Sequence, residues 1–201
     1  MEKEKNFLHA VENRRTRYAL TDRSPVSDDK IEEIIRFAVK CAPSAFNSQG
    51  ARLAVLFGAK HHAFWRLTKE ALQKIVPPEN FSATQEKLAS FDDARGTILY
   101  FEDWATVEGL QQKFPAYKDN FPIWAYQSNG MVEFIIWAAL AEAGLGASLQ
   151  HYNPLVDEAV RREFGVPESW KLIAQMPFGA PYAPAEQKDF ISLDERVKIL
   201  K

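Results

Sequence analysis

Ala42-Pro43-Ser44-Ala45-Phe46-Asn47-Ser48-Gln49 separates a predicted helix from a predicted strand. Upstream, Ser27 has the character of an N-cap, with Asp28 and Asp29 in the first turn, where the helix dipole favours negative charge. Val26 before the cap and Ile31 in the next turn fit a hydrophobic staple. Ile31, Ile34, Ile35 and Ala38 recur at helical spacing and define a core-facing stripe. Pro43 ends this helix, because the residue before a proline is pushed out of the helical region. Downstream, Arg52-Leu-Ala-Val-Leu-Phe57 reads as a strand closed by Gly58. The loop between them offers backbone and amide groups that suit hydrogen bonding to a flat heteroaromatic ring, although Ser and Asn also populate ordinary loops.

Toward the N-terminus, residues 4–15 read as a first helix with Phe7, Leu8 and Val11 on one face. It ends in Asn13-Arg14-Arg15-Thr16-Arg17-Tyr18, and Thr21 to Pro25 reads as a polar turn. Positive charge at a helix C-terminus has an ordinary explanation in the macrodipole. The same residues also have the chemistry of a phosphate clamp, since guanidinium forks bind phosphate oxygens bidentately and a threonine hydroxyl adds a donor. A clamp for phosphate and a loop for a planar ring together suggest a phosphorylated aromatic cofactor, with FMN as the leading candidate.

Toward the C-terminus, residues 60–76 alternate at helical period through Phe64, Leu67, Ala71 and Ile75 until Pro77-Pro78, and 81–91 form a short helix. Gly96-Thr-Ile-Leu-Tyr-Phe101 is nearly continuously apolar and reads as a central strand. A short helix near 106–114 precedes one long helix from Phe121 to Leu145, apolar on nearly all sides in its second half and stopped by Gly144-Leu-Gly146. Ala147 to His151 is a strand candidate, 155–164 a short helix and Lys171 to Phe178 a further strand. Gly179-Ala-Pro-Tyr-Ala-Pro reads as a turn-rich exit and 190–200 as an extended arm. Helices mixed with four or five strands predict an α+β, three-layer domain over 1–201. The apolar long helix is expected both at the monomer centre and in a large interface with a second copy.

Composition excludes several classes. At 201 residues and 46% hydrophobic, the chain is globular. A formal charge of -2 lacks the basic excess of a nucleic-acid binder. Cys41 stands alone, so no intrachain disulfide is possible; a reducing compartment and a buried structural thiol are the expectations. Met1 to Lys5 lacks the apolar core of a signal peptide, and Met131 to Leu145 is too short and too charged to span a bilayer. The chain is expected in the cytoplasm, away from membranes. His9, His61, His62 and His151 form no metal-ligand spacing, and neighbours such as His61 and His62 point in different directions on a helix. Glycine-rich phosphate loops and a Gly-x-Ser-x-Gly elbow are both missing. Asp92-Asp93 and Glu32-Glu33 read as solvated surface.

Arg-Arg-Thr, then a Ser-capped helix, then Ala-Pro-Ser-x-x-Asn-Ser-Gln, then a strand, resembles the start of the FMN-dependent nitroreductase family. Tyr18-Ala-Leu20, Leu149-Gln-His-Tyr-Asn-Pro154 and Phe190-Ile-Ser-Leu-Asp-Glu-Arg-Val197 resemble its fatty-acid-repression-like branch. The resemblance implies a central, mostly antiparallel sheet flanked by helices, and an intertwined homodimer with two FMN sites at the subunit interface. By motif position it implies that Arg14, Arg15 and Thr16 hold the ribityl phosphate and ring edge, with Lys188 as a further phosphate contact. Pro43, Ser44, Asn47 and Gln49 line the flavin from the other subunit, while Gln150 and His151 face its N5 and O4 edge through backbone groups. Tyr18 stands where many members carry a Lys or Arg close to flavin N1 and O2. Gly50-Ala51 replaces the common Pro-Trp, so one aromatic wall is gone. Phe46, Trp65, Phe121, Trp124 and Tyr152 are the aromatic side chains available for stacking, each with core or interface packing as the competing explanation, favoured for Trp65.

The implied chemistry belongs to the cofactor: NAD(P)H delivers hydride, leaves, and an electron-poor nitroaromatic or quinone-like substrate takes two electrons in a ping-pong cycle. An alternative is a flavin-binding regulatory or sensing protein, linked to a lipid or redox response, with little turnover. A third is a cofactor-free dimeric interaction module in which Arg14 to Arg17 serve only as a helix cap.

Overall fold

The computed structural model describes residues 7–201. At its centre lies β3 (Gly96–Asp103), buried along its whole length up to Asp103. Its side chains alternate between two apolar layers, as the period of a strand requires. Ile98 and Tyr100 point into a layer with Ile31, Ile35 and Ala38 of α2 (Asp28–Cys41) and Ile136 and Leu140 of α6 (Phe121–Glu142). Leu99 and Phe101 point to the opposite layer, with Phe64 and Trp65 of α3 (Gly58–Leu72), Leu88 and Phe91 of α4 (Phe81–Asp92) and Val160 of α7 (Asp157–Phe164). Burying such a side chain completely is worth about 1.5–3 kcal/mol, so these two faces carry most of the stability.

The sheet has the order β1-β5-β3-β2, with β1 at Leu20–Thr21, β2 at Ala51–Phe57 and β5 at Trp170–Pro181; β4 (Gly146–Ala147) also pairs with β5. Its named ladders are all antiparallel. The architecture is therefore the expected α+β arrangement of a mostly antiparallel sheet between helical layers. Ser27 caps α2 as predicted, its Oγ accepting from Lys30 N at 3.2 Å. Gly144, at φ +85, lets the chain turn out of α6.

Other expectations need correction. Leu20 and Thr21 are strand residues paired with Pro181 and Ala180, so the turn reading of Thr21 and of Gly179-Ala-Pro both fail. This pairing has no local signal; it depends on Gly179, where a Cβ would come within 2.1 Å of Thr21 O. The strand expected over 147–151 shrinks to Gly146–Ala147 plus an isolated bridge between Gln150 and Gln175. Ser148 N donates to Pro177 O, but proline has no N–H to return the bond. Cys41 is exposed: the buried stripe ends Ile35, Ala38, Ala42 and leaves the thiol outside. Phe7 and Leu8 of α1 (Phe7–Asn13) are also exposed, and residues 4–6 of the expected first helix lie outside the described residues. The C-terminal arm contains one helical turn, α8 (Leu193–Arg196). A helix near 106–114 begins earlier, as α5 (Trp104–Lys113).

His61 and His62 do not diverge; their rings meet edge to face with centroids 5.1 Å apart. His61 is buried, and its Nε2–H donates to Asp92 O at 3.0 Å. Its Nδ1 then accepts from the Thr97 hydroxyl, whose oxygen accepts from Trp65 Nε1 at 2.9 Å. Burial lowers the His61 pKa, which keeps the ring neutral in this chain of bonds. Ligand atoms of His61, His62 and Asp92 lie within 4.8 Å of one another, but both His61 nitrogens are already engaged, so the cluster is held by hydrogen bonds. Trp65 belongs to the core, as the packing explanation required. Among the described residues, no helix is long and apolar enough to cross a membrane.

Candidate functional site

The end of α1 builds one side of a cleft of about 690 Å³, lined by Arg14, Thr16, Tyr18, Pro184, Glu186 and Lys188 among others. The three guanidiniums here do different things. Arg15 Nη2 donates to Glu186 O, and Arg17 Nη1 donates to Ala183 O at 3.1 Å. Both therefore strap residues 183–186 across the cleft. Arg14 instead stacks on the Trp137 ring of α6, with Cζ 4.6 Å from the centroid. Its Nε is buried and has no partner among the described residues. Burial, with a smaller contribution from the Arg15 charge, lowers the Arg14 pKa. An unpaired buried donor on a cation is costly unless an acceptor arrives, and an anion is the acceptor that returns most.

Thr16 is exposed and bridges to Ala147 through its backbone. Lys188 is exposed, with Nζ 5.3 Å from the Phe190 ring centroid. Tyr18 lies at the rim beside Phe91, and Lys87 Nζ sits 5.9 Å over its ring, so a cation stands next to the position where Tyr18 replaces one. Tyr152 is near enough for Tyr18 to add to the effect of burial, which together push its hydroxyl up to about 12.

The second motif is a strained loop. Phe46, Asn47 and Gln49 adopt φ of 56, 51 and 49°, a region that costs a residue with a Cβ about 1–2 kcal/mol. Several contacts fix it there. Ser44 Oγ accepts from Gln49 N at 2.9 Å, and Ser128 Oγ accepts from Ala45 N at 3.4 Å. Arg52 Nη1 donates to Gln49 O at 2.6 Å while Nη2 pairs with Asp103 Oδ2 at 3.0 Å. Asp103 N donates to Gly50 O at 2.9 Å. Beneath the loop, Glu102 is 1% exposed and accepts from Asn129 Nδ2 at 3.1 Å. A Cβ at position 50 would approach Glu102 Oε1 to 2.0 Å, so the loop rests directly on that carboxyl and a side chain there would displace it. Burial raises the Glu102 pKa.

Pro43, Ser44 and Gln49 line a separate cleft of about 800 Å³, together with Ile35, Leu53 and Val132. It shares no lining residue with the cleft of the arginines. Within one chain, therefore, the clamp and the loop do not meet. Asn47 is exposed but lines neither cleft. Gln150 and His151 also line neither; the backbone N–H and C=O of Gln150 are both paired with Gln175, at 2.7 and 2.9 Å. That pairing removes the free backbone groups expected of Gln150. Sequence reasoning missed Trp137, Lys87, Arg52, Glu102 and Asp103. Arg52, Glu102 and Asp103 had a signal, as charged residues near the ends of two otherwise apolar strands.

The profile of the nitroreductase family matches residues 11–180, a span that contains both the arginine cluster and the loop. The chain belongs to the nitroreductase family. Among related nitroreductases, the nitroreductase FRM2 of Saccharomyces cerevisiae is 36% identical over 189 residues, covering 93% of this chain and 94% of that protein. Nitroreductase CinD from Lactococcus lactis, solved in complex with chloramphenicol, is 45% identical with a TM-score of 0.90, covering 98% of this chain and 100% of the other. A nitroreductase structure from Saccharomyces cerevisiae is 34% identical with a TM-score of 0.76, covering 87% and 94% respectively. The protein is thus an oxidoreductase of nitroreductase type.

Proposed function

We propose that this nitroreductase is a homodimeric FMN enzyme that uses NAD(P)H to reduce nitroaromatic or quinone-like compounds by a ping-pong, two-electron mechanism. The observation that carries the reading is the buried Nε of Arg14, without a partner among the described residues, in the cleft at the end of α1. The donor set there fits a phosphate: one guanidinium with an orphan N–H, the exposed Thr16 and the exposed Lys188. When bound, FMN supplies the two-electron chemistry, accepting hydride from NAD(P)H and giving up two electrons to the acceptor. Arg14, Thr16 and Lys188 would hold its phosphate. Arg15 and Arg17 act one step back, by strapping residues 183–186 into the wall of the cleft. Lys87 supplies the positive charge that Tyr18 lacks. The loop of Pro43, Ser44, Asn47 and Gln49 offers rigid backbone groups to the ring, and no nucleophilic side chain is needed.

Two copies are part of the reading, because one chain keeps the clamp and the loop in separate clefts. Phe190, Ile191, Leu193, Val197, Ile199 and Leu200 leave a long apolar arm exposed, which a second copy would cover. Relatives support the substrate class: the CinD structures include complexes with chloramphenicol and 4-nitrophenol. The unpaired Cys41 agrees with a cytoplasmic, reducing location.

Purified protein loaded with FMN and desalted should keep the flavin absorbance, migrate as a dimer in light scattering, and oxidise NADH or NADPH faster when a nitroaromatic is added. A colourless monomer would end the proposal. A yellow dimer without acceptor-dependent turnover would leave the flavin-binding sensor in its place.

A further inference from the structure

Two charged side chains of α7 carry orphan atoms in a place that the flavin reading does not use. Val156, Val160 and Phe164 recur four residues apart and pack into the layer of Phe101 and Leu172. Asp157 and Arg161 each follow one residue later, about 100° further round the helix, and so lie at the edge of that packed stripe. An acid and a base at i and i+4 commonly pair on a helix surface. These two leave their inner atoms unpaired instead. Asp157 Oδ1 and Arg161 Nε are both buried, and neither has a hydrogen-bond partner among the described residues. Burial raises the Asp157 pKa, even against the Arg161 and Lys171 charges that lower it. The carboxylate is therefore short of donors and of positive charge.

Both residues line a cavity of about 220 Å³, together with Trp104, Glu168, Trp170 and Lys171. It lies in the layer opposite α2 and α6, and of its lining residues Trp170 alone also borders the cleft of the loop. The turn beside it is fixed. Gly165, at φ 63°, ends α7, Trp170 N donates to Pro167 O at 3.1 Å and Trp104 N donates to Ser169 O at 2.7 Å. Lys171 Nζ sits 4.5 Å over the Trp104 ring. The cavity therefore sets two carboxylates, Asp157 and Glu168, against two cations, Arg161 and Lys171, beside two indoles. A ligand with a net charge would unbalance that set, and an apolar one would leave both orphan atoms unpaired. A molecule that carries both charges completes it. The volume equals about seven waters at ~30 Å³ each, the size of a small amino acid.

We propose that this cavity is a binding site for a small zwitterion of the α-amino acid class, with the ammonium on Asp157 and the carboxylate on Arg161. Lys171 adds a second positive charge, and the indoles of Trp104 and Trp170 offer apolar surface to the side chain. The site is separate from the arginine cleft and does not depend on the flavin reading.

The test is calorimetric titration of the FMN-loaded protein with L-valine and with its two single-charge fragments, isobutylamine and isovalerate. L-Valine should bind at least about tenfold more tightly than either fragment, since each fragment loses one charge-assisted contact. Fragments that match L-valine, or an absence of L-valine binding, overturn the proposal without any variant. Asp157→Asn and Arg161→Gln should each weaken L-valine about tenfold. Asp157→Asn should weaken isobutylamine and not isovalerate, whereas Arg161→Gln should weaken isovalerate and not isobutylamine. Flavin absorbance per subunit should equal wild type in both variants, as a check that the fold is kept. Loss of both fragments together in either variant indicates a collapsed cavity and overturns the assignment of charges. A crystal soaked in L-valine with only water between Asp157 and Arg161 overturns it as well.

Discussion

The cleft at the end of α1 and the loop after α2 differ in how their backbone and side-chain polar groups are held. At the loop, Ser44 and Arg52 fix the backbone of Gln49, Ser128 fixes that of Ala45 and Asp103 that of Gly50, while Glu102 fills the space beneath; among the described residues only the supporting oxygens Asp103 Oδ1 and Asn129 Oδ1 lack a partner there. At the clamp, Arg14 is desolvated on Trp137, and its Nε has no partner among the described residues. The difference separates two jobs. A region whose backbone is held by its own side chains keeps its shape whether or not a ligand is present, and so supplies geometry. A region with an orphan donor is stabilised by whatever completes it, and so supplies affinity.

Arg14→Ala breaks the comparison most directly. It should cost FMN about 1.5–3 kcal/mol of binding, one to two orders of magnitude in Kd by titration, because a charge-assisted phosphate contact is lost. The same variant without FMN should melt close to wild type, since the lost stack on Trp137 is offset by removal of an unsatisfied buried group. A matching loss of melting temperature in the FMN-free protein would make Arg14 structural. Asp103→Asn should do the reverse at the loop. Weakening its ion pair with Arg52, which is only partly exposed, should cost about 1–2 kcal/mol of folding stability by denaturant titration. Any effect on FMN affinity should be the smaller of the two. Ser44→Ala, which frees the N–H of Gln49, should cost about 1 kcal/mol in the same assay.

The gentlest probe is pH. Burial holds the Glu102 carboxyl above its ordinary value of 4.5, so the folded chain keeps a proton that the unfolded chain has lost. Where the native state binds more protons, stability falls as pH rises. The Glu102 contribution is therefore full below 4.5 and declines as pH climbs through the raised folded value. Glu102→Gln should flatten that part of the melting-temperature profile. A variant profile parallel to wild type would show that Glu102 titrates normally under the loop.

Much of the fold was legible because its signals are local. The Ile31, Ile35, Ala38 stripe, the Ser27 cap, the apolar run of β3 and the Gly144 stop each depend on residues a few positions apart. The β1–β5 pairing was not legible, since Leu20 meets Pro181 across most of the chain and neither carries a strand pattern. Cys41 shows the same limit on a smaller scale: residue type favours burial, but the angle at the end of α2 puts the thiol outside.

At the candidate site, residue types in order were enough to propose a phosphate-binding chemistry at Arg14 to Thr16 and a hydrogen-bonding loop at Pro43 to Gln49. Which guanidinium remains available was decided by tertiary contacts alone. Arg15 is drawn to a carbonyl 171 positions away, and Arg14 lies against an indole from α6. Side-chain chemistry travels with the sequence, whereas desolvation and partner choice arise only when distant segments are packed together.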